Sequence, residues 1–162
     1  MLRNLLLTFA ATVTVCSAQV PARVQSESRD AALGYMGTAN FLIGRIGRDC
    51  LSVLGRAESP QQFVQTWQTR NGKYVIAAAK YMEMRLAEVA ASNGEQRRGA
   101  VQKDMMSRSQ TAADDLLQSW YRSGPKDAVC RRAVEMVDTG MLDVSPSSSV
   151  FADLQALVDW AQ

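Results

Sequence analysis

The 162-residue chain contains no histidine. That removes the Ser-His-Asp and Cys-His nucleophilic machines, His-ligated zinc and haem held by a histidine axial ligand. An excess of one charge is also missing. Eighteen Lys and Arg stand against sixteen Asp and Glu, a formal +2, so the basic stripe of a nucleic-acid binder is absent and no nucleic acid is expected as a partner. No alternating strand pattern of useful length occurs, and no Asn-x-Ser/Thr glycosylation site. Cysteine is limited to Cys16, Cys50 and Cys130, with neither a CxxC motif nor the spacing of a metal knuckle. No metal and no cofactor is expected.

The first eighteen residues carry a pattern of their own. Arg3 precedes an apolar run from Leu5 to Val15, and Cys16-Ser17-Ala18 sets small residues before Gln19. This is the form of a secretory signal peptide over 1–18, too short to cross a bilayer comfortably. Val15 stands where a lipidation signal carries a small residue. No second run of about 20 apolar residues follows, so no stable membrane insertion is expected after cleavage. The bacterial periplasm is the expected location. Cleavage would leave Cys50 and Cys130, an even pair in an oxidising compartment, which reads as one disulfide closing a span of 80 positions. A loop that long gives roughly 4–5 kcal/mol of stabilisation as an upper figure.

Beyond the signal, residues 19–29 read as a flexible leader and 30–162 as one helical domain. Met36, Asn40, Ile43, Gly47, Cys50 and Leu54 recur at helical spacing until Gly55. Ser59-Pro60-Gln61-Gln62 is a helix start, with Ser59 as N-cap and Gln62 as its capping-box partner. Phe63 and Trp67 share the buried face that follows, and Asn71-Gly72 breaks or bends the helix. From Lys73 to Ala91 the stripe Val75, Ala79, Met82, Leu86 and Val89, flanked by Tyr74 and Tyr81, predicts a central helix packed on two sides. Asn93-Gly94 ends it. A long helix from Glu95 to Arg122 is apolar at both ends and polar between Ser107 and Thr111. Further helices are predicted over Lys126 to Thr139, capped by Gly140, and over Val150 to Ala161. The fold class is therefore all-α: a single-domain up-and-down bundle of five or six helices, stapled by Cys50–Cys130.

Motifs that could carry chemistry are few. Ser123-Gly124-Pro125-Lys126 has the SxxK spacing of serine acylases, but Gly and Pro place it at a turn rather than along a helix. Asp114-Asp115 and the pair Glu83 and Glu88 do not share a helix face as acid–base partners must. Arg97-Arg98, Arg131-Arg132 and the pair Arg45 and Arg48 read as solvated charge. Trp67, Trp120, Trp160 and the methionines read as core. Arg108, Ser109 and Thr111 either face a wet cavity or lie where their helix curves outward. No catalytic constellation emerges, and an enzyme is not expected.

Two features ask for a reason. Gly34, Gly37, Gly44 and Gly47 stand inside the first helix, each at a cost of about 1 kcal/mol relative to alanine. Gly37 and Gly44, seven apart, fall on one side, where another backbone could come close. The loop from Met141 to Ser149 combines Pro146 and three serines with the apolar Met141, Leu142 and Val144. Together Gly37, Gly44, Met141, Leu142 and Val144 form the candidate interaction surface. Two functions follow. One is a non-enzymatic interaction module such as an adaptor, inhibitor or immunity protein, with another periplasmic or cell-envelope protein as partner. The other is a small-ligand carrier with an apolar pocket between helices. A lined cavity of several hundred Å³ would separate them.

Overall fold

The computed structural model describes residues 22–162, with side chains from Ser26. The signal segment 1–18, with Cys16 and the cleavage point before Gln19, lies outside the described residues. Five helices follow: α1 Ala22–Cys50, α2 Pro60–Arg70, α3 Gly72–Tyr121, α4 Lys126–Asp138 and α5 Phe151–Ala161. Among the described residues there is no strand. The all-α bundle is as the periodicity predicts.

Local chemistry accounts for most boundaries. Ser59 Oγ accepts from the Gln62 amide while Gln62 Oε1 accepts from the Ser59 amide, the reciprocal capping box that starts α2. Gly55 and Gly140 take positive φ, 66° and 77°, where the chain leaves α1 and α4. Gly94 is the decisive turn. At φ 81° and ψ 167° it adopts a conformation close to glycine-only and folds α3 into two arms, 72–93 and 95–121.

α1 is the central rod and touches every other helix. The chain leaves its C-terminal end and returns along it. Gly47 meets Pro60 and Phe63, Gly44 meets Val64, and Asn40 accepts from Gln68. The break at Asn71 does not reverse direction, so the first arm of α3 continues the path of α2 down to Tyr81, whose hydroxyl donates to Asp30. After Gly94 the second arm climbs back: Ser109 lies against Gly37, Asp114 pairs with Arg45, and Tyr121 reaches Cys50. α4 begins beside α1 at the Cys50–Cys130 disulfide, with Cα atoms 5.0 Å apart. α5 closes the far end, where Lys80 donates to the Ala161 carbonyl.

The core lies around α1. Ile43, Ile46, Trp67, Tyr81, Leu117, Val137, Leu154 and Leu157 are fully buried. Asn71 is buried with them and has three partners. Its Nδ2 donates to the Trp67 carbonyl (2.9 Å) and to Asp143 Oδ1 (3.1 Å), and its Oδ1 accepts from the Val144 amide (2.8 Å). This amide therefore holds the loop before α5 against the α2–α3 junction.

Two expectations are corrected. The segment read as part of a flexible leader, 22–29, is the first stretch of α1. Its polar residues have partners distant in sequence: Ser28 donates to Asp153, and the Arg29 guanidinium lies 5.6 Å from the Tyr81 ring centroid and 5.8 Å from that of Trp160. The stripe expected to make the first arm of α3 central is covered on one side only. Tyr74, Ala77, Ala78 and Tyr81 are buried, and of the stripe itself Leu86 is buried as expected, while Val75, Met82 and Val89 are half-buried and Ala79 is exposed.

Candidate functional site

The half-buried stripe lines a groove. Its floor is α1, through Leu33, Gly34, Met36, Gly37, Asn40 and Phe41. One wall is the first arm of α3, with Val75, Ala79, Met82 and Val89. The other is the second arm, with Val101, Met105, Met106 and Ser109. The volume is about 660 Å³, inside the roughly 300–1,000 Å³ range of small-molecule sites. The lining is mainly aliphatic and thioether carbon, and methionine suits a surface that must adapt to its occupant.

The glycines set its shape. A Cβ on Gly37 would stand 2.6 Å from Ser109 Oγ, so the absence of a side chain lets the second arm of α3 close on α1 at this level. A Cβ on Gly34, one turn earlier, would meet nothing within 4 Å. Gly34 keeps the floor low and the space above it open. Gly44 and Gly47 serve a different contact, toward α2: a Cβ on Gly44 would stand 3.8 Å from Val64, and one on Gly47 3.3 Å from Phe63 and Pro60. The structure does not unite Gly37 and Gly44 in one site.

The two ends of the groove differ. One abuts Trp67 and the pair Gln68–Asn40, where Gln68 Nε2 donates to Asn40 Oδ1 at 2.7 Å. Toward Gly94, where Val89 and Val101 also line it, the groove carries the charges Asp30, Arg85 and Asp104, with Arg108 one turn further up beside the Ser109–Gly37 contact. Arg85 lies 3.6 Å from Asp30 and 2.9 Å from Glu88, and Arg108 lies 2.9 Å from Asp104. All are substantially exposed, Arg108 at 79%, so each pair is worth about 0–1 kcal/mol and breaks cheaply. Below this end the Tyr81 phenol is pushed above its ordinary pKa by burial, and its hydrogen bond to Asp30 acts in the same direction.

The loop residues belong to a second, smaller hollow of about 300 Å³ across α1. Met141 and Leu142, but not Val144, line it together with Tyr35, Leu42, Leu116 and Trp120. Met141 is 65% exposed and Leu116 40%. Leu142 is half-buried, and its carbonyl accepts from Trp67 Nε1. Val144 is half-buried, with its amide on Asn71.

Several of the remaining motif residues have local partners. Ser123 Oγ donates to the Trp120 carbonyl at the α3–α4 turn, Arg131 pairs with Asp127, and Arg98 with Glu95. Among the described residues no group of three metal-ligating side chains occurs, and no helix is long and apolar enough to cross a membrane. Of the groove residues, Gly34 stands out in the sequence only as a costly helix glycine, and Met36, Met82 and Met105 only as apolar positions that read as core; none belongs to the candidate surface read from the sequence. The available signal was the polar stretch at Arg108 and Ser109, which does face the groove. Comparison of the chain with family models, curated proteins and solved structures finds no match.

Proposed function

We propose that this protein is an exported, non-enzymatic binding protein that carries an elongated apolar ligand in the groove between α1 and the two arms of α3. The observation that carries this reading is the lined space of about 660 Å³ whose floor is lowered at Gly34. Four glycines in one helix cost several kcal/mol in propensity, and packing against α2 explains only the pair at Gly44 and Gly47. The charged groups around the groove pair with one another, Arg85 with Asp30 and Arg108 with Asp104, and Gln68 donates to Asn40. Export rests on the 1–18 pattern and places the ligand in the cell envelope.

Isothermal titration with a series of n-alkyl monoglycerides tests the reading. Each methylene buried should add about 0.8 kcal/mol, or roughly fourfold in affinity, until the groove is filled. Affinity independent of chain length, or no binding, would overturn it. The interaction-module reading is retained as a second one, because Met141 and Leu116 stand exposed over the smaller hollow. An envelope protein that binds the wild type but not Met141→Asp would support it.

A further inference from the structure

The charged end of the groove says what kind of ligand fits. We propose that the ligand is a single-chain amphiphile with a zwitterionic head, of the lysophospholipid class, its chain running toward Trp67 and its head among Asp30, Arg85, Asp104 and Arg108; this rests on the groove being a carrier site. Contacts along α1 place these groups. Arg85 pairs with Asp30, Ser109 stands at Gly37, and Gln68 stands at Asn40. Asp30 and Arg85 are thus at the opposite end of the groove from Trp67, with Asp104 a turn below Arg108 on the facing arm.

The lining charge there is two cations and two anions, with Glu88, 2.9 Å from Arg85, as a third carboxylate at the edge. A carboxylate head that gains an arginine also faces Asp30 and Asp104, and a quaternary ammonium that gains an aspartate faces both arginines. Only a head with both signs finds a complement for each. The existing pairs do not prevent this exchange, because exposed ion pairs contribute little and both arginines keep donors for a phosphate. Trp67, Met36 and Phe41 offer no such groups, so the chain rather than the head occupies that end.

The test uses the mature protein and four 12-carbon probes, each below its micelle concentration: lauroyl lysophosphatidylcholine, dodecanoate, dodecyltrimethylammonium and monolaurin. Lysophosphatidylcholine should bind up to about fivefold tighter than monolaurin, the gain of exposed charge contacts worth about 1 kcal/mol or less. Arg108→Glu, with its melting temperature measured alongside, should lower lysophosphatidylcholine affinity, raise that of dodecyltrimethylammonium and change monolaurin affinity least of the three. Equal affinity for all four probes, or a preference for dodecanoate, would overturn the head assignment while the carrier reading stands. Failure to bind any probe would overturn both.

Discussion

Asn71→Ala should cost about 3 kcal/mol of stability. The Trp67 carbonyl still accepts from the Asn71 backbone amide at 3.1 Å, so it is not orphaned. Asp143 keeps both of its bonds from Arg70, at 2.7 and 3.1 Å, and loses one contact. The Val144 amide loses its partner, Asn71 Oδ1, at 2.8 Å. A stranded donor costs about 1–3 kcal/mol and each lost bond about 1 kcal/mol, which gives the total. Urea unfolding with an unchanged slope measures it. Hydrogen exchange should localise the effect, with protection of the Val144 amide falling while that of Ile43 in the core changes less. A loss under about 1 kcal/mol, or unchanged exchange at Val144, would mean that the loop is held elsewhere and that Asn71 is not its anchor.

Other perturbations follow from the same packing. Cys130→Ser should lower stability by about 2–4 kcal/mol, because the unfolded chain regains the freedom of a long loop; thiol labelling of the unreduced, denatured mature protein should find no free thiol. Gly44→Leu should cost ~1–3 kcal/mol by overpacking against Val64, whereas Gly44→Ala should be neutral or stabilising, since a Cβ there lies 3.8 Å from Val64; thermal melts of the two variants separate these outcomes. The raised pKa of Tyr81 means that the unfolded phenol ionises first. Its contribution is complete below the unfolded value of roughly 10 and is lost as pH rises through the folded value. Tyr81→Phe should therefore show a shallower alkaline loss of stability than the wild type, and an identical slope would refute that assignment.

Much of the fold is legible in local chemistry. The Ser59–Gln62 capping box, the turns at Gly55, Gly94 and Gly140 and the pairing of Cys50 with Cys130 each depend on few residues or on simple arithmetic, and each is present. Non-local partners are where sequence falls short. Residues 22–29 look like a loose leader because their partners, Asp153, Tyr81 and Trp160, are far along the chain. The stripe Val75, Ala79, Met82 and Val89 has the same periodicity whether a neighbouring helix covers it or a groove leaves it open. Only the fold at Gly94, which sets the two arms of α3 apart over α1, decides between them. The cost of the α1 glycines is visible in the sequence, but its division is not: Gly44 and Gly47 serve α2, while Gly34 and Gly37 shape the groove.

Gly34→Leu tests the groove most directly. A Cβ at Gly34 meets nothing within 4 Å, so a leucine there starts without a clash and grows into the space that the groove leaves open. Helix propensity improves by up to about 1 kcal/mol. The groove reading predicts that the melting temperature holds or rises while affinity for lauroyl lysophosphatidylcholine and monolaurin falls by tenfold or more. A variant that is as stable as the wild type and binds both probes with unchanged affinity would contradict it.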